Sequence, residues 1–240
     1  MTRGFAGVTA AILAGGLGTR LRPAVADRPK VLAPVGGRPW LMYLLDRLAA
    51  AGLRDVVLLT GYRAEQVRAA LGETYAGLRL HHAPEPEPLG TGGALRRVLG
   101  RLASPRVLVL NGDSLADVNL GALEDFHHER GAAGSLVLAW ADDTARYGTV
   151  DVAPDGRITG FAEKRAGGAG WINAGVYLFE RELIEAIPAG RFVSLERELF
   201  PQWADSGGLY GFCCRTSFLD IGTPESYAQA EVFVGVGRVA

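Results

Sequence analysis

Residues 10–23 read AAILAGGLGTRLRP, and they decide the fold. The opening run is apolar on every residue, with no polar alternation. A strand of that kind is covered on both faces, as in the middle of a parallel sheet. The run breaks at Gly15, Gly16 and Gly18, which allow backbone angles and close approaches denied to residues with a side chain. Successive exposed N–H groups in such a loop form a concave anion site, and open α/β sheets bind ligands at the carboxyl ends of their strands. Leu21 stands where the dinucleotide fingerprint needs a third small residue, and no Gly-Lys-Ser/Thr follows. Both of those motifs are therefore excluded. A tight turn alone would explain the glycines, but Arg20, Arg22 and Lys30 beside them point to a polyphosphate.

Further apolar runs predict strands over 56–60, 78–82, 106–110, 135–140, 149–152, 158–163, 172–179 and 209–214. Amphipathic stretches predict helices over 39–51, 64–71, 91–102, 120–130, 181–187, 195–204 and 224–234. Ser194 is placed to cap one helix, with Glu196 favourable in its first turn. Thr223 followed by Pro224 starts another. Alternation of strand and helix in the first half implies parallel strands with right-handed crossovers. The second half, richer in short strands, reads as mixed. The expectation is a Rossmann-like α/β fold: one three-layer α/β/α domain over 1–240 with a mixed, mainly parallel sheet. Its halves divide near residue 112, nucleotide before and sugar phosphate and metal after.

A net charge of -1 gives no electrostatic case for nucleic acid. No apolar run reaches the roughly 18 residues of a membrane span. The first 20 residues read as a strand entering a loop, not a cleaved leader. Cys213 and Cys214 are adjacent, too strained for a mutual disulfide and too few for a zinc site, so they read as strand residues in a reducing cytoplasm. The pairs His81–His82 and His127–His128 lack metal-ligand spacing. The first reads as a strand end, the second as a helix end where a protonated imidazole suits the dipole. Of the 25 basic residues, 23 are Arg and only Lys30 and Lys164 are Lys. Either they survive by chance, or they mark places where a compact ammonium is wanted and a planar guanidinium does not fit.

Six segments in order carry a resemblance: LAGGLGTRLRP, RPKVLAPVGGRPWLMYLLDRL, PLGTGGALRRVL, VLNGDS, ITGFAEK followed by INAGVYLF, and FLDIGTPESYAQA. Together they are similar to the signature of the sugar-1-phosphate nucleotidyltransferases, across nearly the whole chain. Within that family the PLGTGGA loop, the INAGVYL strand and the short C-terminus resemble the heptose-1-phosphate guanylyltransferases. The chain stops soon after FLDIGTPESYAQA, so a second C-terminal activity is not expected.

The resemblance implies that an NTP and a sugar 1-phosphate give an NDP-sugar and pyrophosphate. An anionic phosphate oxygen attacks the α-phosphorus in line, so catalysis is charge neutralisation and alignment. By resemblance, Leu13, Ala14, Gly15, Gly16, Gly18 and Thr19 hold the nucleotide, with Arg20 on the triphosphate. Lys30 takes the PK position near the phosphates, and Lys164 the EK position on the sugar phosphate. Both lysines thus fall on phosphate-handling positions, which favours function over chance. Asp113 and Asp220, 107 positions apart, are the family's two carboxylates for one Mg²⁺. Gly148, Glu163 and Asn173 are the sugar positions, although Asn173 could instead satisfy its own strand. Trp171 and Tyr177 read as core or rim.

In the loop HAPEPEPLGTGG, with Gly90 and Thr91, Glu85 is the candidate reader of the base. Its carboxylate can accept from the N1–H and 2-amino groups that guanine offers side by side. Glu87 and the loop backbone are further readers. Best fitting is GTP plus D-glycero-D-manno-heptose 1-phosphate. Alternatives are mannose 1-phosphate with GTP, N-acetylmuramate or amino-sugar 1-phosphate with UTP, and a silent NDP-sugar-binding subunit. The last would have been expected to lose Arg20, Lys30 or a carboxylate. Monomer and homodimer both stay open.

Overall fold

The computed structural model describes residues 5, 7–162 and 168–236. Ten strands form one sheet: β1 (Thr9–Ala14), β2 (Asp55–Thr60), β3 (Thr74–Tyr75), β4 (Leu78–Pro84), β5 (Arg106–Asn111), β6 (Gly134–Ala141), β7 (Thr149–Val152), β8 (Ile158–Ala162), β9 (Gly170–Glu180) and β10 (Leu209–Cys214). The main path runs β8-β7-β9-β5-β1-β2-β4-β3, with β6 on β9 and β10 on β6. β5, β1, β2 and β4 are mutually parallel, and the long β9 runs antiparallel to both β5 and β6. The expected mixed, mainly parallel sheet is therefore present.

Period-two alternation in β1 divides the core. Ala10 and Ile12 face one side, with Leu41, Leu44, Leu45 and Leu48 of α1 (Trp40–Ala50). Ala11 faces the other, with Ala94 and Leu95 and with Phe200. Both faces are thus sealed by apolar contact, which is why β1 is apolar from Ala10 to Ala14. Helices α2 (Ala64–Leu71), α3 (Gly90–Arg97) and α4 (Leu120–Arg130) follow their strands as predicted. The predicted 91–102 helix is shorter: α3 gives way at Val98 to a 3₁₀ turn, Leu99–Arg101. α5 (Arg181–Glu185) follows β9. The predicted 195–204 helix begins as a π turn, Leu195–Leu199, capped by Ser194, and continues as α6 (Phe200–Asp205). The predicted 224–234 helix is two pieces, α7 (Pro224–Tyr227), capped by Thr223, and α8 (Ala230–Val236).

One expectation is corrected at the end of α4. His127 is 1% exposed, hydrogen-bonded at Nδ1 to Ser135 (2.8 Å) and at Nε2 to Glu180 (3.2 Å). Burial, helped by the nearby Arg106 and His128, lowers its pKa to about 4, so it is a neutral core residue and not a cation serving the dipole. An unfolded chain protonates this ring from about pH 6.5 downward, while the fold refuses the proton until about pH 4. Stability is therefore full above pH 6.5 and is lost as pH falls toward 4. The loss from His127 is on the order of 3 kcal/mol. Denaturant melts at pH 7 and pH 4.5 check this: the drop should be markedly smaller in His127→Gln than in the wild type.

Candidate active site

Parallel pairing brings four strand ends to one edge. Leu13 lies opposite Asn111, Ala14 opposite Thr60, and Thr60 opposite Pro84. The segments leaving those ends are the glycine loop, Gly61–Tyr62, the Glu85 loop and Gly112–Asp113. They surround a cavity of about 540 Å³ walled by Leu13, Ala14, Gly15, Gly16, Lys30, Glu85, Gly90, Thr91 and Asp113, among others. Nine of the predicted residues thus share one wall.

The glycines act by close approach. A Cβ on Gly61 would stand 2.7 Å from the Gly15 carbonyl oxygen, and one on Gly15 would stand 3.4 Å from Glu85 Oε1. The loop therefore lies directly beside the carboxylate expected to read the base. Gly18, at φ +60°, sits over the Cβ of Lys30, outside the cavity wall. Thr19 is exposed and also outside it. The glycines of α3 serve packing: Gly92 and Gly93 donate their N–H groups to the Val193 carbonyl oxygen (2.9 and 3.2 Å). Gly90 and Thr91 remain at the wall. Burial raises the Glu85 carboxyl above its ordinary value, opposed by the Leu89 N–H that donates to Oε2 (3.4 Å). Glu87 is exposed and not part of the wall.

Asp113 and Asp220 become neighbours through a ribbon that sequence patterning does not predict. Ser114–Ala116 pairs antiparallel with Phe218–Asp220, which sets Asp220 opposite Ser114. The N–H of Ile221 donates to the Asp113 carbonyl oxygen (3.0 Å). The Asp113 carboxylate is ion-paired with Lys30 and accepts from the Ser114 hydroxyl (3.1 Å). Burial would raise its pKa. The Lys30 ammonium and the hydroxyl outweigh that, and the carboxyl sits below its usual range, hence ionised. Asp220 accepts from the Tyr147 hydroxyl (2.9 Å) and the Gly222 N–H (2.9 Å). Burial, then the Asp220 charge, pushes Tyr147 up to about 12, so this phenol keeps its proton and donates it. Arg20 reaches the same corner: its Nη2 lies 3.2 Å from a Cβ built on Gly222.

This donor set fits magnesium. Among the described residues no group of three or more His, Cys, Asp and Glu could cage a metal. Two carboxylates at neighbouring strand ends, Asp113 in the cavity wall and Asp220 opposite Ser114 beside it, are instead the kind of small oxygen set Mg²⁺ takes when phosphate oxygens and water complete its shell.

The sugar side is less complete. Glu163 and Lys164 lie outside the described residues. Gly148 abuts the Ala162 carbonyl oxygen, 3.1 Å from a Cβ built on it. Asn173 donates from Nδ2 to the Tyr177 hydroxyl (2.9 Å) and accepts the Gly175 N–H (2.8 Å), so each end of its amide has one partner within its own strand. Tyr177 is fully buried core. Sequence reasoning missed Asn111, Tyr62, Phe192 and Glu196, all in the cavity wall. Glu196 accepts from Thr91 (2.8 Å) and Ser194 (3.0 Å). The π turn that carries it is a distortion often found at functional sites.

A family profile described as Nucleotidyl transferase matches residues 9–235. The chain is 40% identical over 226 residues to a mannose-1-phosphate guanylyltransferase of Mycobacterium tuberculosis, covering 92% of this chain and 63% of that one. It thus spans less than two thirds of that relative. It is 35% identical over 222 residues to a D-glycero-alpha-D-manno-heptose 1-phosphate guanylyltransferase of Aneurinibacillus thermoaerophilus, covering 92% and 96%. The crystal structure of HddC from Yersinia pseudotuberculosis superposes with a TM-score of 0.85 at 30% identity, over 94% of this chain and 98% of that one. The same protein complexed with GMP-PN gives 0.84 at 29% identity, with the same coverage.

Proposed function

The chain belongs to the nucleotidyl transferase family, and from that premise we propose that it transfers GMP from GTP to a sugar 1-phosphate, releasing pyrophosphate. The preferred acceptor is D-glycero-D-manno-heptose 1-phosphate, because the heptose relative matches over nearly its full length. Mannose 1-phosphate is the second reading, favoured by the 40% identity to the mycobacterial enzyme. The observation that carries the proposal is the Lys30–Asp113 pair beside Asp220, set at the wall of a cavity that also holds the glycine loop and Glu85.

The reaction joins two anions, so the residues must first cancel repulsion and then fix direction. The loop backbone from Leu13 to Gly16 receives the nucleotide. Lys30, a point charge on a flexible stem, can move from Asp113 to phosphate oxygens when they arrive. Arg20, at the Asp220 corner, adds a planar donor fork suited to the outgoing pyrophosphate. Bound at Asp113 and Asp220, Mg²⁺ would supply positive charge at the α-phosphate. The acceptor phosphate is already an anion, so no side chain needs to deprotonate it. On family pattern, Lys164 is assigned to the sugar phosphate, and Gly148, Glu163 and Asn173 to the sugar.

A pyrophosphate-release assay with Mg²⁺, crossing GTP, UTP, ATP and dTTP with heptose, mannose and N-acetylglucosamine 1-phosphates, tests this. GTP with a manno-configured acceptor should stand out. Turnover confined to UTP, or none at all, would contradict it. Glu85 gives a sharper handle on the base. Glu85→Gln replaces one acceptor by a donor facing guanine, and the KM for GTP should rise by about tenfold to a hundredfold. The wild-type KM should also rise as acidification protonates Glu85, at a higher pH than an ordinary carboxylate would show.

A further inference from the structure

Asn111 ends β5 in the cavity wall, two residues before Asp113 and opposite Leu13 in the sheet. Its amide nitrogen faces the Tyr177 hydroxyl and lies against Gly175, where a Cβ would come within 2.9 Å. That glycine has φ +70° and sits in the irregular stretch of β9 between Asn173 and Tyr177. The nitrogen end of the amide is thus fixed from behind. The oxygen end is the reverse: Oδ1 is buried and has no hydrogen-bond partner among the described residues. A buried acceptor left unpaired is as costly as a lost hydrogen bond, and an apolar residue would avoid that cost. The position makes sense if the partner arrives with a ligand.

The ligand group must be a donor, and the cavity limits which one. Glu85 and Gly15 mark the base end, Lys30 and Asp113 the phosphate end. Phosphate oxygens of a nucleotide at neutral pH accept and do not donate. The base edge is turned to Glu85. The donors left are the ribose hydroxyls, and Asn111 stands opposite Leu13 of the glycine-loop strand and two residues before Asp113, with the Glu196 carboxylate also in the wall. Gly148 and Asn173, the sugar-side positions, are not part of this wall. We propose that Asn111 Oδ1 accepts a hydrogen bond from a ribose hydroxyl and so makes the protein select ribonucleotides over deoxyribonucleotides. This rests on the nucleotide reading of the cavity given above.

The test compares GTP, 2′-deoxy-GTP and 3′-deoxy-GTP, by calorimetric binding and by kcat/KM, in the wild type, Asn111→Ala and Asn111→Leu. The wild type should prefer GTP over one of the deoxynucleotides by about tenfold, the value of one buried neutral hydrogen bond. In the variants that ratio should fall below about twofold, because the group that reads the hydroxyl is gone. Loss of the Tyr177 contact alone would weaken all three nucleotides equally and leave the ratio unchanged. A wild type indifferent to both deoxynucleotides overturns the proposal without any variant. So does a ratio preserved in whichever variant folds. A protein that binds GTP and releases pyrophosphate but keeps its ratio contradicts the ribose assignment alone. A protein that does neither contradicts the guanylyl reading as well.

Discussion

Asp113→Asn is expected to lower kcat by about a thousandfold, since it removes charge from the place where, in the proposed reaction, two phosphates meet. The replacement keeps the shape of the side chain and its reach to Ser114, so the ribbon that joins Asp113 to Asp220 should hold. Two consequences separate a charge effect from a folding effect. Circular dichroism and melting temperature should stay near the wild type, because the carboxylate is only partly buried and its partner Lys30 can turn to solvent. Activity should also fail to recover at saturating GTP, because the loss falls on the reacting centre and not on the base contacts near Glu85. A variant with near-normal turnover would show that Asp113 merely anchors Lys30.

Lys30→Gln is expected to cost about a hundredfold to a thousandfold in kcat/KM through the loss of the cation proposed to meet the phosphates. It should also change the pH profile. Burial favours the neutral form of Asp113, and the ammonium is what overrides it. Without Lys30 the carboxyl titrates higher, so the acidic limb of kcat against pH should move to higher pH. Lys30→Arg is the stringent companion. The chain uses Arg at 23 of its 25 basic positions, yet the cation paired with Asp113 in the cavity wall is Lys30. A rigid planar fork cannot divide itself between Asp113 and phosphate as an ammonium can. Arg should therefore restore charge but less than about a tenth of the activity. Full rescue by Arg would reduce Lys30 to a generic cation.

The elements that form the nucleotide cavity are legible because they are local. β1, β2 and β5 are unbroken apolar runs, and their observed limits lie within one residue of the runs. The glycine loop and the Glu85 loop follow from them, since a parallel strand must release its chain at the same edge as its neighbours. What pairs Asp113 with Asp220 is not local. Two three-residue strands, Ser114–Ala116 and Phe218–Asp220, are too short to show a period, and more than a hundred residues separate them. Only the family resemblance places the two carboxylates together before the fold is known. Asn111 and Glu196 are hidden for another reason. Each satisfies an ordinary local pattern, a strand end and a helix first turn, and each gains its place in the cavity wall from a long-range partner: β9 behind Asn111, and Thr91 beside Glu196. His127 shows the opposite failure: its helix-end position was right, and burial against β6 and β9 keeps it neutral.

In the proposed function, Asp113 and Asp220 share one divalent ion with the nucleotide. Manganese binding followed by electron paramagnetic resonance, in the presence of GTP, measures that directly. One Mn²⁺ per chain should bind with GTP in the wild type. Asp113→Asn and Asp220→Asn should each weaken that binding by at least about tenfold, and the double variant should bind more weakly than either single one. Wild-type affinity in either single variant would contradict a shared ion.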